Sequence, residues 1–527
     1  MQEPNEARVG NMLASSATGT TFLILIQVVS RMFTFISNQL ILRSLSPMIL
    51  GIAAQLELFQ ASILYFSRES IRMAIQRQPL ITDVTKLKNE LRRHGQSVAS
   101  QSVVNFSYLS VLLGILSTII FTVVYQHYAP EKAIQTPFFK LGIVLTGVSA
   151  ILELSVEPFF AIVQQRMWYQ KRAAAEMPAV LIKSFVTCSL FLYAAHSSQN
   201  MGILPFALGH LSYSMALIVG YCLSLLPRAS ERQFSFLPTV IKAMDTTEYL
   251  LGRFSRKLTS LAASVLFQSL VKHLLTQGDS MMLAALSSLE DQGIYSLASN
   301  YGGLIARVVF QPLEESSRNL FSTLLSPDEN GGKNAGQVRI AKNHLIDLLR
   351  AYQLLSVLAI PLGPIMVPQG LRILGGRQWA SPQVGELLSL YCYYVPFLAF
   401  NGITEAFVAS AANSKEIQRQ TAWMGAFSVC YAVASYLFLE VWSMGAYGLV
   451  MANIVNMAIR TLWSFNFIRS YLGQHENGLG ITEMSIHPMS YIWAVLAMGA
   501  ITTQGLSGAD QDTIPALAFS CVYSLLM

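Results

Sequence analysis

Apolar stretches of about twenty residues or more recur along the whole chain, and a stretch of that length with few charges can cross a bilayer as a helix. The first six lie near 16–42, 47–71, 98–125, 138–163, 173–195 and 203–226. After a polar stretch from Pro227 to Lys257, six more lie near 261–286, 293–325, 345–367, 384–412, 421–442 and 445–468. Two others, near 488–505 and 513–527, close the sequence; the last is short and ends on Met527 without a polar tail, as in a chain incomplete at that end. Hydrocarbon offers the backbone no partners, so segments of this kind become helices. The fold class expected is an all-α polytopic membrane protein of about fourteen transmembrane helices. Composition agrees: 53% of residues are hydrophobic, only 12% are charged, and mean hydropathy is +0.46.

The net charge of +6 does not mark a nucleic-acid partner, because the basic residues are scattered among loops rather than gathered on one surface. They sort by side instead. Alternate loops hold Arg77, Lys86, Lys88, Arg92 and Arg93, then Arg166, Lys171 and Arg172, then Arg228, Arg232, Lys242, Arg253, Arg256 and Lys257. Later loops of the same set add Lys333, Arg339, Lys342, Lys415, Arg419 and Arg469, whereas the opposite loops hold only Lys132, Lys140, Arg372 and Arg377. Cytosolic loops are the basic ones, so both termini are predicted cytosolic. The first twenty residues are polar and carry no cleavable signal, which leaves the first span as the targeting signal. Cys188, Cys222, Cys392, Cys430 and Cys521 lie singly in apolar stretches and read as small core residues. The sequon Asn105-Phe-Ser107 lies within a span and is expected to go unused.

Spans two and eight end on related strings, Glu69-Ser70-Ile71-Arg72 and Glu315-Ser316-Ser317-Arg318, 246 residues apart. Spans four and ten repeat at an offset of 248, with Glu157-Pro158-Phe159-Phe160-Ala161 matching Glu405-Ala406-Phe407-Val408-Ala409 and the register continuing to Gln170-Lys171 and Gln418-Arg419. Two matches at nearly one offset point to duplication. An even number of spans per half makes the repeats parallel, an arrangement used by transporters that rock around a site at the repeat interface. A duplicated scaffold without transport is the alternative. The expected division is 1–226 for the first six helices, 227–260 for a basic cytosolic linker, 261–469 for the second six and 470–527 for two additional helices.

Charges at membrane depth face a cavity or a partner. Arg31, midway along span one, is the best single cavity candidate, with a buried pair to an acid such as Glu57 as the alternative. Glu69 and Arg72, three apart on one helix face near Arg68, suggest a local ion pair, echoed by Glu315 and Arg318. Arg307 lies deeper in span eight without an obvious local acid. Lys272, His273 and Asp279 break the apolar run of span seven; a proton relay is one reading and a polar cavity wall the preferred one. Glu153, Glu157 and Glu405 stand where lining or gating groups could sit, Pro158 could kink or unwind the helix beside Glu157, and Arg460 lies within span twelve. Arg31, Arg68, Arg307 and Arg460 outnumber the unassigned acids. A cationic cavity suits an anionic substrate such as a lipid-linked phosphate better than a cationic drug, because the guanidinium fork matches phosphate oxygens. The sequence holds no P-loop, metal-ligand cluster or catalytic triad, so enzymatic activity, a cofactor and a bound metal all lack support.

The run LASSATGTTFLILIQVVSRMFTFISNQLILRSLSP from Leu13, followed by YFSRESIRMA, resembles the Rft family of eukaryotic oligosaccharide-translocation proteins. So do LELSVEPFFAIVQQ, Leu152 to Gln165, and QPLEESSRNLF, Gln311 to Phe321. The similarity runs from about Leu13 to beyond Ala452 and adds little in the last two spans. It implies the fold of the multidrug/oligosaccharidyl-lipid/polysaccharide exporter superfamily and residence in the endoplasmic reticulum membrane. The substrate implied is a dolichol-pyrophosphate-linked oligomannose, moved from the cytosolic to the lumenal leaflet for N-glycosylation, and its pyrophosphate would account for an arginine-rich cavity. By matched motif Arg31, Arg68, Glu69, Arg72, Arg307, Glu315 and Arg318 are the expected sensitive positions. The partners expected are a lipid-linked oligosaccharide and membrane lipids. A non-transporting accessory of glycan assembly and an ion-coupled exporter of the same fold remain as alternative functions.

Overall fold

The structure is a computed structural model describing residues 33–76, 89–165, 168–241, 249–325, 335–375, 379 and 381–496, apart from 35, 44, 232–234, 251, 475–477 and 493–494. Arg31, Cys521 and the expected span near 513–527 lie outside the described residues, as do the side chains of Lys272 and Arg307.

Two compact units divide the chain, Met1–Leu45 with Gln55–Thr276 (the first unit) and Ser46–Ala54 with Gln277–Met527 (the second). Up to the linker the helices are α1 (Pro47–Gln76), α2 (Asn89–Tyr128), α3 (Glu131–Ile134), α4 (Phe139–Leu154), α5 (Glu157–Gln165), α6 (Tyr169–Ser197) and α7 (Leu204–Glu231). The chain then forms two short antiparallel strands, β1 (Tyr249–Leu250) and β2 (Phe254–Ser255), before α8 (Arg256–Leu286). Next come α9 (Leu289–Ile305), α10 (Gln311–Leu324), α11 (Ala335–Gly375), α12 (Pro382–Ala411), α13 (Ser414–Tyr436), α14 (Ala446–Gln474) and the single turn α15 (Ile481–Met484).

Among the described residues eight segments are long and apolar enough to cross a membrane: 47–75, 100–128, 139–165, 170–197, 204–225, 335–371, 382–411 and 422–441. This is a multi-pass membrane protein. Its outer surface shows the solvent it is built for: Leu112, Leu116, Ile119, Ile120 and Val123 of α2 are all exposed, an apolar band that water would not tolerate and acyl chains would. The expected spans near 261–286 and 445–468 are helical as α8 and α14 but are not among the eight. In α8 the interruption comes from Gln268, Lys272, His273, Gln277 and Asp279.

Local chemistry sets the breaks. Pro158 lacks a backbone N–H, and the fourth expected span is divided just before it, α4 ending at Leu154 and α5 starting at Glu157. Pro312 at the start of α10 likewise follows a π-helical turn, Ala306–Phe310, which carries Arg307. Within the first unit, α2, α4, α5, α6 and α7 pack on one another. Gly220 of α7 lets that helix approach Ala175 of α6, and Ser149 and Ser214 hydrogen-bond between α4 and α7 at 2.8 Å. One buried cluster unites Val104, Val156, Ile162, Ala179, Tyr221 and Phe236; another unites Ile71, Val103, Phe106, Ala161, Leu258 and Ala262. In the second unit a Cβ on Gly51 would overlap the Leu289 carbonyl and one on Gly293 the Pro47 carbonyl, so two glycines permit the crossing of α1's first turns with α9.

Candidate functional site

Arg68 and Arg72 stand one turn apart on α1, where a helix presents both to the same neighbour. That neighbour is the break between α4 and α5. Arg68 Nη1 donates to Glu153 Oε1 at 2.7 Å and lies 3.6 Å from Glu157 Oε1. Arg72 grips Glu157 with its fork, Nε to Oε2 at 2.9 Å and Nη2 to Oε1 at 2.5 Å. Gln60 Nε2 donates to the other oxygen of Glu153 at 3.3 Å. Glu157 opens α5, where the positive end of the helix dipole favours a carboxylate. Phe160, one turn further, lies beneath Arg72, with the guanidinium carbon 3.7 Å from the ring centroid; that of Arg172 is 4.9 Å from the same ring. Arg172 donates to Glu176 Oε1 at 2.8 Å, and Tyr221 donates to that oxygen at 3.3 Å.

Burial within this cluster is unequal. The side chains of Glu153 and Glu157 are 9% and 4% exposed, those of Arg68 and Arg72 22% and 21%. The acids are more deeply buried than the cations, which are themselves only partly exposed. Among the described residues Arg68 is held through Nη1, which leaves the donors on its Nε and other Nη available to a ligand.

The second unit is built differently. Arg460 of α14 binds Glu405 of α12 through Nε at 2.9 Å and Nη2 at 2.7 Å, both to Oε1. Glu315 and Arg318 are exposed on α10, and Glu314 sets its carboxylate against Gly402.

The local pairs expected within helices are not the ones formed. Arg72 is held by Glu157 rather than Glu69, because a carboxylate on the facing helix can meet both edges of the fork, whereas one three residues back on the same helix cannot. Glu69 has contacts of its own. Glu315 accepts from Gln311 at 3.5 Å, and no pair with Arg318 occurs among the described residues. His273 is a core side chain: it is buried, hydrogen-bonds Ser62 Oγ through Nε2 at 3.0 Å, stacks on Tyr65 and meets Phe66 edge-on. Asp279 accepts from the backbone N–H of Ser280 at 2.8 Å. Sequence reading missed Gln60, Phe160, Glu176 and Tyr221; only the four-residue spacing of Arg172 and Glu176 signals any of them.

A model of the Rft protein family matches residues 15–527. The chain belongs to the Rft family. Its Rft relatives include proteins named Man(5)GlcNAc(2)-PP-dolichol translocation protein RFT1 from three well-separated organisms. The one from Yarrowia lipolytica is 34% identical over 492 residues, covering 88% of this chain and 71% of the relative. That from Saccharomyces cerevisiae is 34% identical, covering 87% and 83%, and that from Mus musculus 31% identical, covering 85% and 81%. Among solved structures this Rft chain is similar to lipid II flippase MurJ in an inward closed conformation, with TM-score 0.63, 12% identity and coverage of 96% of each chain. It is also similar to an inward-facing MATE multidrug transporter of the MOP superfamily, with TM-score 0.54, 13% identity and coverage of 86% and 99%. At these identities the likeness fixes the fold alone, the one shared by these two proteins.

Proposed function

We propose that this chain moves a dolichol-pyrophosphate-linked oligomannose of the Man(5)GlcNAc(2) kind from the cytosolic to the lumenal leaflet of the endoplasmic reticulum membrane, supplying protein N-glycosylation. The observation that supports the reading is the partly exposed Arg68 and Arg72 on buried Glu153 and Glu157. Pyrophosphate presents oxygens in the geometry a guanidinium fork meets, while the polyprenyl tail stays in lipid. Arg31 and Arg307 are further candidate cations of this reading on sequence alone. The architecture attached to it has fourteen spans, two parallel six-helix repeats followed by two helices, a cytosolic linker over 227–260 and both termini in the cytosol.

Purified protein in liposomes with the lipid-linked glycan in one leaflet tests it. Transfer should exceed that of protein-free vesicles and should fall with Arg68→Ala at unchanged protein abundance. Transfer no faster than in empty vesicles would remove direct translocation and leave the accessory role in glycan assembly.

A further inference from the structure

The chain leaving α7 does not hang free of the first unit. Residues 235–241 cross α2, bending at Phe236 and Leu237, where Gln101, Asn105 and Tyr108 lie on one helical face. Gln101 Oε1 accepts the Ser235 N–H at 2.8 Å, and its Nε2 donates to the Leu237 carbonyl at 3.0 Å. Asn105 Oδ1 accepts the Thr239 N–H at 3.1 Å, while its Nδ2 donates to the carbonyls of Thr239 at 2.7 Å and Arg253 at 3.1 Å. Gln101 Nε2 also donates to Asn105 Oδ1 at 3.0 Å, and Tyr108 donates to the Phe236 carbonyl at 2.9 Å. Two buried amides thus pair with the backbone of Ser235, Leu237 and Thr239, every second residue of the strap. The sequon at Asn105 is spent on this contact.

Phe236 and Ile241 seat the strap. Phe236 is buried in the core of the unit and stacks on Phe159 with ring centroids 4.3 Å apart, Ile241 is buried as well, and Leu237 and Val240 between them are exposed. Phe159 belongs to α5, two residues after Glu157 and one before Phe160. The strap therefore bears on the short helix that presents the carboxylate to Arg72 and the ring to Arg72 and Arg172.

A ligand anion taken up by Arg72 competes with Glu157, and a carboxylate only 4% exposed cannot be left unpaired inside the unit. Arg68, 3.6 Å away, is committed to Glu153, so Glu157 closes on that second cation or reaches water only as α5 shifts, and the Phe236 stack opposes that shift. We propose that the strap is a releasable latch, and that Gln101, Asn105 and Phe236 are positioning residues: they hold α5, and through Glu157 the two arginines, so that strap and ion pairs loosen together. The release by ligand rests on the pyrophosphate reading above; the coupling of strap to ion pair does not.

The second unit carries a simpler counterpart. Gln353, 248 residues after Asn105, accepts the Ile486 N–H and the Tyr491 hydroxyl, each at 3.2 Å, and Ile486, 250 residues after Phe236, is buried. It provides an internal control.

Hydrogen exchange by mass spectrometry on the full chain in nanodiscs tests the latch. Asn105→Ala should speed exchange over 235–241 about tenfold and leave 478–492 unchanged. Glu157→Gln, which keeps the side-chain shape and removes the charge, should also speed exchange over 235–241; unchanged exchange there overturns the coupling without any ligand. If Asn105→Ala exchanges throughout the first unit, the fold has been lost, and Phe236→Leu, which keeps an apolar anchor without the stack, carries the test. A short-chain isoprenyl pyrophosphoryl chitobiose should release the strap when bound. Binding without release overturns the latch, whereas failure of this probe to bind counts against the pyrophosphate reading, with Glu157→Gln still deciding the coupling.

Discussion

Glu157 and Glu405 match in sequence at an offset of 248 residues, yet each is held by an arginine from a different part of its unit. Glu157 takes Arg72 of α1, and Glu405 takes Arg460 of α14. Around them the chemistry diverges at the same offsets: Arg68 corresponds to Glu314, Glu153 to Asn401, Phe160 to Val408, Arg172 to Gln420 and Glu176 to Met424. The first unit therefore assembles two arginines on two buried acids, with a third arginine over the shared ring. At the matching position the second has the Arg460–Glu405 pair, whose members are about equally open, at 24% and 22%. Glu157 opens a short helix, whereas Glu405 lies inside the unbroken α12, and the two-arginine cluster belongs to the first unit.

The largest difference between the units should appear on deleting the acid. Glu157→Ala leaves the partly buried guanidinium of Arg72 without its counterion and should cost about 3 kcal/mol of stability, the lower end for breaking a buried pair. Glu405→Ala, at a more open site, should cost about 1 kcal/mol. Denaturation of the detergent-solubilised protein compares them, and equal losses would break the distinction.

A smaller effect separates fork from charge. Arg72→Lys keeps the cation and loses the two-edged grip, so liposome transfer should fall about tenfold, while Arg460→Lys should change it by no more than about twofold. A larger loss for Arg460→Lys would move the site into the second unit.

The comparison is sharpened by writing one unit into the other. Asn401→Glu alone buries a carboxylate where Asn401 is 7% exposed and should destabilise by about 2 kcal/mol. Adding Glu314→Arg recreates the Arg68–Glu153 pairing, and a double-mutant cycle should recover about 1 kcal/mol. No coupling would mean that the packing around Gly402, rather than charge, keeps these positions apart.

Membrane class, helix order and the arginines of α1 were legible in sequence because length, hydropathy and charge are local properties. Partners were not. Helical spacing offers only neighbours three or four residues away, so it put Glu69 with Arg72, while the carboxylate that meets the fork lies 85 residues on. Glu153 and Glu157 were marked as lining groups, and Pro158 beside them as a breaker, but nothing local says that α5 turns its acid toward α1. Asn105 was the hardest case: a sequon inside an apolar span reads as inert, and its three strap bonds reach 134 and 148 residues along the chain.

The smallest effect is expected at the edge of the second unit, where Lys342 binds Glu483 at 2.7 Å and also donates to the Gly478 carbonyl at 2.7 Å. The hydrogen bond from Lys342, with that from the Gly480 N–H, draws the Glu483 carboxyl below the ordinary glutamate range. A carboxyl depressed in the folded state contributes stability above its unfolded pKa and loses it as pH falls through the folded value. The attachment of 478–484 should therefore be intact at neutral pH and weaken only in acid. Because Glu483 stands in solvent and Lys342 keeps its bond to Gly478, Glu483→Gln should leave the unfolding midpoint unchanged and speed amide exchange over 478–484 by about twofold at pH 7. An effect on the midpoint as large as that of Glu405→Ala would show that surface pairing, and not burial of the acid, ranks these ion pairs.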